Sequence, residues 1–299
     1  MPPTRRVFIS GPREVYLGAR QKALRAAILG EVMKLGYEAT AFGTPEGGTG
    51  LAKRTPWNRE EALEAMRGCV GVVLLGFPLW RTRDGDRDMG LATEYCHYEA
   101  ALAAALDLPI LALLETGTAG RGAFDPRAGT PVLDIPADAT PDWVTGPEFQ
   151  RFLAAWADQL AQRRDVFLGY CSAAKRVAAR VRAALEADGI TVIDWARDFR
   201  KAGSILSEIE AAAVRCSAAI LLFTRDDELE KSGVAMPRDN VLLEAGYFMR
   251  AKGKQRVLIA REEGARMPAD LGGDIYVPFK RGRTDALLEG VRQFIRDRL

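Results

Sequence analysis

The chain has 299 residues, 48% of them hydrophobic, and a formal net charge of +2 at pH 7. Because domains typically hold about 100–150 residues, this length predicts two domains with ordinary cores. The near balance of acids and bases argues against a dedicated nucleic-acid groove. No apolar run approaches the roughly 20 residues that a membrane helix needs, so we expect no membrane partner.

Cysteine and histidine usage narrows the chemistry. The four cysteines form no CxxC pair, and the whole chain has one histidine, which argues against a zinc site or a histidine-based triad. Cys69 and Cys216 stand in apolar stretches and are predicted to be buried thiols. The N-terminus runs into a strand without a signal-peptide core. We therefore expect a reduced, cytoplasmic protein with neither a metal nor a cofactor.

The first half alternates predicted strands and helices, as apolar runs and helical periodicity indicate. In chain order we predict strand 6–10, helix 19–35, strand 37–42, loop 43–57, a helix capped by Asn58, strand 69–76, charged loop 81–88, a helix carrying Glu99, strand 108–114, surface loop 115–147 and helix 148–162.

The second half follows the same alternation. The predicted elements are strand 165–169, helix 173–187, strand 190–193, a helix through 204–214, strand 216–223, a polar loop after Thr224, a helix carrying Glu244, strand 256–260 and helix 284–298.

The two halves repeat one another element by element. The run Cys69–Leu75 matches Cys216–Leu222, and the spacing between matched elements drifts only as loop insertions would make it drift. Alternating helices and apolar strands predict parallel sheets covered on both faces. The fold class is therefore α/β, with two tandem doubly wound, flavodoxin-like or TIR-like parallel-sheet domains at 1–150 and 165–299.

Ligands of doubly wound sheets bind beyond the carboxyl ends of the strands, and the candidate binding residues follow predicted strands. In the second half these residues are Gly169, Tyr170, Trp195, Arg197, Phe223, Thr224, Asp226, Arg238 and Asn240. In the first half a second possible site comprises Ser10, Gly11, Arg13, Phe77 and Glu99. The plain alternatives stay open: the charged groups can be solvated or cap a helix, and Tyr170 and Trp195 can be rim aromatics.

Glu244 is the most informative of these residues. It is a lone carboxylate on the first turns of an apolar helix, and Glu99 holds the same place about one domain length earlier. We expect the helix dipole to hold Glu244 ionised. Beside an aromatic pocket, such a carboxylate can grip ribose hydroxyls and stabilise an oxocarbenium-like centre, as glycosidic cleavage requires. Because nicotinamide leaves NAD as a neutral base, that cleavage needs neither histidine nor metal.

Four stretches of the second half carry a family resemblance: Gly203–Glu210, Ala219–Asp227, Arg238–Phe248 and Met267–Tyr276. They resemble the predicted nucleotide-binding TIR-like domain of bacterial anti-phage effectors, the type fused to bacterial STING. The resemblance implies a NAD glycohydrolase, with Glu244 catalytic and NAD as substrate. It also implies activation by a nucleotide second messenger or by homo-oligomerisation. The chain departs from the family after its first strand, where Gly169-Tyr170-Cys171 replaces the usual His-Gly pair that shapes the nucleotide pocket.

The first half is similar to a wider group. Tyr95–Glu99 is similar to the Trp-Cys-x-x-Glu signature of TIR domains, and Glu99 followed by Leu108–Leu111 is similar to the Glu helix and Lys-Pro-Val strand of nucleoside deoxyribosyltransferases. The resemblance implies an active domain, or a sensor or assembly domain. Two alternatives to NAD cleavage stay open: a non-catalytic nucleotide-binding signalling module, and a nucleoside or nucleotide deoxyribosyl hydrolase centred on Glu99.

Overall fold

The computed structural model describes residues 5–41, 57–199, 204–228, 235–271 and 276–299. The chain divides between Gln162 and Arg163 into two compact units, here called the N-terminal unit and the C-terminal unit. The predicted loop 43–57 lies outside the described residues apart from Trp57, and the predicted polar loop after Thr224 lies partly outside them.

The N-terminal unit is built on a five-stranded parallel sheet. Its strands are β1 (Arg6–Ser10), β2 (Glu38–Ala41), β3 (Cys69–Gly76), β4 (Trp80–Asp84), β5 (Arg87–Leu91), β6 (Ile110–Glu115) and β7 (Val132–Ile135), and its helices are α1 (Ala19–Lys34), α2 (Arg59–Arg67), α3 (Glu94–Ala105) and α4 (Pro147–Ala161). The sheet order is β2-β1-β3-β6-β7, and β4 and β5 form a separate antiparallel hairpin.

Local sequence explains where these elements begin and how they pack. Every residue of β3 is buried, as its continuous apolar run predicts for a central parallel strand. The side chain of Asn58 accepts hydrogen bonds from the backbone N–H groups of Glu60 and Glu61, which confirms the predicted N-cap of α2. Helix α4 buries one face, on which Trp156 Nε1 donates to the Pro109 carbonyl at 3.1 Å.

The C-terminal unit has a second five-stranded parallel sheet. Its strands are β8 (Arg164–Gly169), β9 (Val192–Asp194), β10 (Cys216–Phe223), β11 (Asp227–Glu228), β12 (Ala235–Met236), β13 (Val257–Glu262) and β14 (Tyr276–Phe279), and its helices are α5 (Lys175–Ala187), α6 (Trp195–Asp198), α7 (Ile205–Arg215), α8 (Asp239–Lys252) and α9 (Asp285–Arg298). The sheet order is β9-β8-β10-β13-β14.

The two sheets have the same topology. When the sheet strands of each unit are renumbered along the chain, both sheets read 2-1-3-4-5, the flavodoxin-like order. This confirms the predicted tandem α/β fold. The strand order reverses between the first and third strands, where Ser10 pairs with Leu74 in one unit and Gly169 pairs with Leu221 in the other. A ligand crevice is expected at the carboxyl ends of these strands.

Two sequence predictions were wrong in detail. The charged segment 81–88 is not a loop but the β4–β5 hairpin, whose turn contains Gly85 at φ 59°. The fifth strands, β7 and β14, were not predicted from the sequence. Each has only four residues and stands at a sheet edge, so its local pattern is weak.

Among the described residues, no helix combines the length and the apolar character needed to cross a membrane.

Candidate active site

Helix α8 places Glu244 over the carboxyl end of β8. Val241, Ala245 and Phe248 on the same helix are fully buried, and this helical face brings Glu244 into the interior, where it is 3% exposed. A Cβ atom built on Gly169 would lie 2.4 Å from Glu244 Oε2. The carboxyl group therefore occupies the space that the missing side chain of Gly169 leaves open, at the point where the strand order reverses.

Burial dominates the electrostatics of Glu244. Its Oε2 atom is buried and has no hydrogen-bond partner among the described residues. Removal from water raises the pKa of this carboxyl to about 8. The expectation that the helix dipole holds it ionised was therefore wrong. Glu244 is the sixth residue of α8, and the dipole effect falls off within the first turn.

A compact polar cluster joins the loops that follow β8 and β10. Asp226 Oδ1 accepts a hydrogen bond from the Cys171 thiol at 2.8 Å, and Thr224 Oγ1 lies 2.8 Å from the same oxygen. The backbone N–H of Arg238, at the start of α8, donates to Asp226 Oδ2 at 3.3 Å. Asp226 thus ties together three segments at the ligand-binding edge. Burial, together with the adjacent Asp226, raises the pKa of the Cys171 thiol, which keeps it protonated.

Tyr170 and Trp195 form an aromatic pair at the same sheet edge. Their ring centroids are 5.5 Å apart, and Trp195 Nε1 donates to the Tyr170 carbonyl at 2.9 Å. The Tyr170 hydroxyl donates to Asp194 Oδ1 at 2.6 Å, and Arg182 forms an ion pair with the same carboxylate. These bonds hold Tyr170 in a buried position, where burial first and Asp194 second raise the pKa of its hydroxyl.

The other predicted binding residues of this unit lie in three different environments. Arg197 forms ion pairs with Glu186 and Asp198, each at 3.0 Å. Phe223 is completely buried in the core of the C-terminal unit. Asn240 is exposed on the first turn of α8. The candidate site therefore centres on Gly169, Cys171, Thr224, Asp226 and Glu244, and not on these three residues.

Glu99 occupies the corresponding place in the N-terminal unit. It is the sixth residue of α3, as Glu244 is of α8. Ser10 Oγ donates to Glu99 Oε2 at 2.5 Å, and Trp57 Nε1 donates to Oε1 at 3.0 Å. Burial raises the pKa of this carboxyl to about 7, although both hydrogen bonds act in the opposite direction. The second acid therefore has partners for both oxygens.

The remaining candidates around Glu99 divide between site and core. Gly11 follows Ser10 directly, and a Cβ atom there would lie 3.0 Å from Leu75 Cβ, so its small size permits close approach to β3. Arg13 is exposed. Phe77 is fully buried in the hydrophobic core of the N-terminal unit and is a packing residue in the structure.

Sequence reasoning missed three polar contributors. Trp57 stands next to the N-cap Asn58, and nothing in the sequence links it to Glu99. Asp194 directly follows the predicted strand 190–193 and ends β9 in the structure, so its place at the ligand-binding edge could have been found from the sequence. Cys171 was not among the predicted binding residues, but its thiol donates a hydrogen bond to Asp226.

The C-terminal unit is similar to a known protein family. Residues 165–281 match the family "CAP12/Pycsar effector protein, TIR domain". The matched residues include Gly169, Asp226 and Glu244. It confirms the resemblance found from the sequence motifs of the second half.

Individual relatives carry corresponding names. "Pycsar effector protein BcPycTIR" of Burkholderia cepacia is 31% identical over 97 residues, which are 31% of this chain and 32% of that protein. "CD-NTase-associated protein 12" of Sphingobacterium faecium is 30% identical over 112 residues, which are 35% of each chain. The chain thus spans about a third of the length of these relatives.

A solved structure is also similar over part of the chain. It is a metazoan TIR-STING receptor from C. gigas in complex with 2',3'-cGAMP, with a TM-score of 0.33 and 15% sequence identity. The similarity covers 43% of this chain and 39% of that one.

Proposed function

We propose that the C-terminal unit is a NAD⁺ glycohydrolase and that the protein is an effector of bacterial anti-phage defence. The observation that carries the proposal is the buried, unpartnered carboxyl oxygen of Glu244 at the end of β8. Nucleotides bind at this place in doubly wound folds. The TIR match and the effector names of the relatives support the defence role.

The reaction requires little beyond one well-placed carboxylate. The bond between ribose C1′ and the nicotinamide nitrogen breaks, and its electron pair stays on nicotinamide, which leaves as a neutral base. Water adds to C1′ and releases a proton, giving ADP-ribose. Positive charge develops on the ribose in the transition state, so an ionised Glu244 beside C1′ lowers the barrier.

The raised pKa of Glu244 fits this role because the substrate is a cation at the reacting end. In the free protein the pKa of about 8 keeps most of the carboxyl protonated at neutral pH. A nearby pyridinium charge favours the ionised form. Substrate binding is therefore expected to displace a proton and leave the carboxylate facing the bond that breaks.

The neighbouring groups are proposed to orient the nucleotide. Asp226 and Thr224 supply hydrogen-bonding groups at the same sheet edge, and Trp195 supplies an aromatic face. Arg238 and Asn240 stand exposed where α8 begins. In this assignment Glu244 acts on C1′, and the other residues hold the ribose and its substituents.

Assembly is the proposed control step. Helices α7 and α8 pack against each other, and they expose Ile205, Leu206 and Leu243, which are 68%, 47% and 57% exposed. Exposed apolar groups on the unit that carries the site are suited to contact a second copy of this chain. We propose that a nucleotide signal or a rise in local concentration drives this contact and activates cleavage.

The direct test is NAD loss on incubation with concentrated full-length protein. Glu244→Gln keeps the volume of the side chain but has no ionisable group, and we expect at least a 100-fold loss of nicotinamide release. Glu94→Gln, at an exposed acid of α3 in the other unit, is the control and should retain activity. Glu99→Gln changes the corresponding buried acid, and loss of nicotinamide release in that variant instead would point to the N-terminal unit. Equal turnover by wild type and Glu244→Gln would remove Glu244 from the mechanism.

One observation favours a non-catalytic nucleotide-binding module as the second candidate. At the position of the usual His-Gly pair, this chain has Tyr170, whose buried hydroxyl is committed to Asp194. If NAD binds the C-terminal unit and is recovered intact after hours at high protein concentration, this second candidate replaces the first.

A further inference from the structure

The two units share one sheet topology but differ at the end of the first strand. Ser10 and Gly169 end the first strands of the two sheets, and each lies beside the glutamate of the helix that follows the third strand. Ser10 donates to Glu99, whereas Gly169 offers Glu244 no side chain. The repeat therefore contains one acid with partners and one with an unpartnered oxygen.

An aromatic wall, formed by Trp57, Tyr95 and Tyr98, lies next to the acid that has partners. Tyr95, Tyr98 and Glu99 lie on one face of α3, at the helical spacing i, i+3 and i+4. The ring of Trp57 lies 5.5 Å from that of Tyr95 and 5.6 Å from that of Tyr98, while its Nε1 donates to Glu99. Tyr95 and Tyr98 are nevertheless 45% and 60% exposed. Exposed rings beside a buried acid provide stacking surface next to a hydrogen-bond acceptor.

Hydrogen-bond capacity decides what Glu99 can still bind. A carboxylate has about four acceptor positions, and Ser10 and Trp57 occupy two of them. The remaining positions suit donor hydroxyl groups, and a ribose offers two of these on adjacent carbons. A base attached to that ribose can stack on the tyrosine rings, because every base has a π-face.

We propose that the N-terminal unit binds a ribonucleoside or ribonucleotide through Glu99 and the Trp57–Tyr95–Tyr98 wall, and that it leaves this ligand intact. Each oxygen of Glu99 already holds a donor that spreads its negative charge, so it is a poorer stabiliser of a developing cation than an unpartnered oxygen. In the N-terminal unit, the Ser10 side chain stands at the position that Gly169 leaves open in the C-terminal unit. The duplicated site has thus separated into a cleaving copy and a binding copy.

The test uses the full chain with Glu244→Gln, so that its result does not depend on NAD cleavage. The probes are AMP, CMP, GMP and UMP and their 2′-deoxy counterparts, measured by calorimetry, with chromatography to show whether the probe stays intact. We expect at least one ribonucleotide to bind, and its 2′-deoxy counterpart to bind at least 10-fold more weakly. Adding Glu99→Gln should weaken binding at least 10-fold, whereas Glu94→Gln, an exposed acid on the same helix, should not change it.

A second pair of variants keeps the test valid if replacement of Glu99 unfolds the unit. Tyr98 and Tyr16 are both 60% exposed in the N-terminal unit. We expect Tyr98→Ala to weaken binding at least 5-fold and Tyr16→Ala to leave it unchanged. The proposal is overturned if no probe binds the parent protein, if binding survives both Glu99→Gln and Tyr98→Ala, or if free base is released in a manner that requires Glu99.

Discussion

Burial, and not a charged partner, sets the protonation state of Glu244. The carboxyl is 3% exposed, its Oε2 has no partner among the described residues, and desolvation raises its pKa to about 8. An acid kept in such a place costs the fold stability whenever it ionises. Strongly perturbed acids in a ligand crevice are typical of functional sites, so this cost is itself a reason to assign Glu244 a chemical role.

The first prediction concerns stability and pH. The folded pKa of Glu244 lies above the unfolded value of 4.5, so the folded state binds more protons between these values, and stability falls as pH rises through this window. A shift of this size corresponds to on the order of 5 kcal/mol. Glu244→Gln cannot ionise, so its melting temperature minus that of wild type should increase from pH 5 to pH 9.

The difference between the two proteins is the informative quantity, because Glu99 has a raised pKa of its own and contributes the same trend to both. Thermal melts at fixed ionic strength supply the measurement. A melting-temperature difference that stays constant over this pH range would show that Glu244 does not have a raised pKa in the folded protein.

The second prediction concerns activity and pH. If only ionised Glu244 stabilises the ribosyl cation, kcat/KM for NAD should rise with pH and level off above the free-protein pKa of about 8. The rise should approach tenfold per pH unit well below that value. Initial rates of nicotinamide release from pH 6 to 9.5 test it, with Glu94→Gln, a change at an exposed acid of α3, expected to give the same profile. A rate that instead falls as pH rises through about 8 would indicate that a protonated Glu244 acts as an acid.

The end of β8 is the element that makes room for this carboxyl. A Cβ atom on Gly169 would lie 2.4 Å from both Glu244 Oε2 and Leu221 Cδ1. The third prediction is that Gly169→Ala lowers NAD cleavage at least 10-fold, because the new methyl group displaces the carboxyl. Steady-state assays at saturating NAD provide the measurement.

Gly246 is the matched control for that substitution. It lies in α8 two residues after Glu244, is exposed, and has nothing within 4 Å of an added Cβ. Gly246→Ala should keep full activity and stabilise the helix by about 1 kcal/mol. Equal activity of both alanine variants would show that the space at Gly169 is not needed for catalysis.

Continuous apolar runs made the central strands predictable, whereas short edge strands were not. The bounds of β3 and β10 agree with the predicted 69–76 and 216–223, because eight buried residues in a row leave no ambiguity about a central parallel strand. Strands β7 and β14 have four residues each, and the charges of the β4–β5 hairpin conceal its pairing. Their formation depends on neighbouring strands rather than on local pattern.

The positions of the two glutamates could be predicted from the sequence, but their protonation and their hydrogen-bond partners could not. The internal repeat placed Glu99 and Glu244 at equivalent positions, and the structure brings each of them to the end of a first strand. The ionisation of Glu244 depends on how completely α8 buries it, and the bond from Trp57 to Glu99 joins segments 42 residues apart. Neither follows from local sequence.

The whole chain contains two copies of one topology, of which the C-terminal copy carries the TIR match. The copies differ in whether the buried acid has partners: Ser10 and Trp57 donate to Glu99, whereas Gly169 offers Glu244 no side chain. Ser10 and Gly169 therefore distinguish the proposed binding unit from the proposed cleaving unit more than either glutamate alone does.

The last prediction concerns assembly of the whole protein. If a second copy of the chain completes the site, the specific activity for NAD should increase with protein concentration. Ile205→Glu should abolish that increase, because a charge at a buried contact between copies is costly. Ile205 is 68% exposed and is the first residue of α7, where an acidic side chain favours the helix, so the variant should fold. Met33→Glu, at a 58% exposed site in the N-terminal unit, is the control. Light scattering, measured alongside the NAD assay, reports the oligomeric state. A monomer with full, concentration-independent activity would show that each chain holds a complete site and would contradict this prediction.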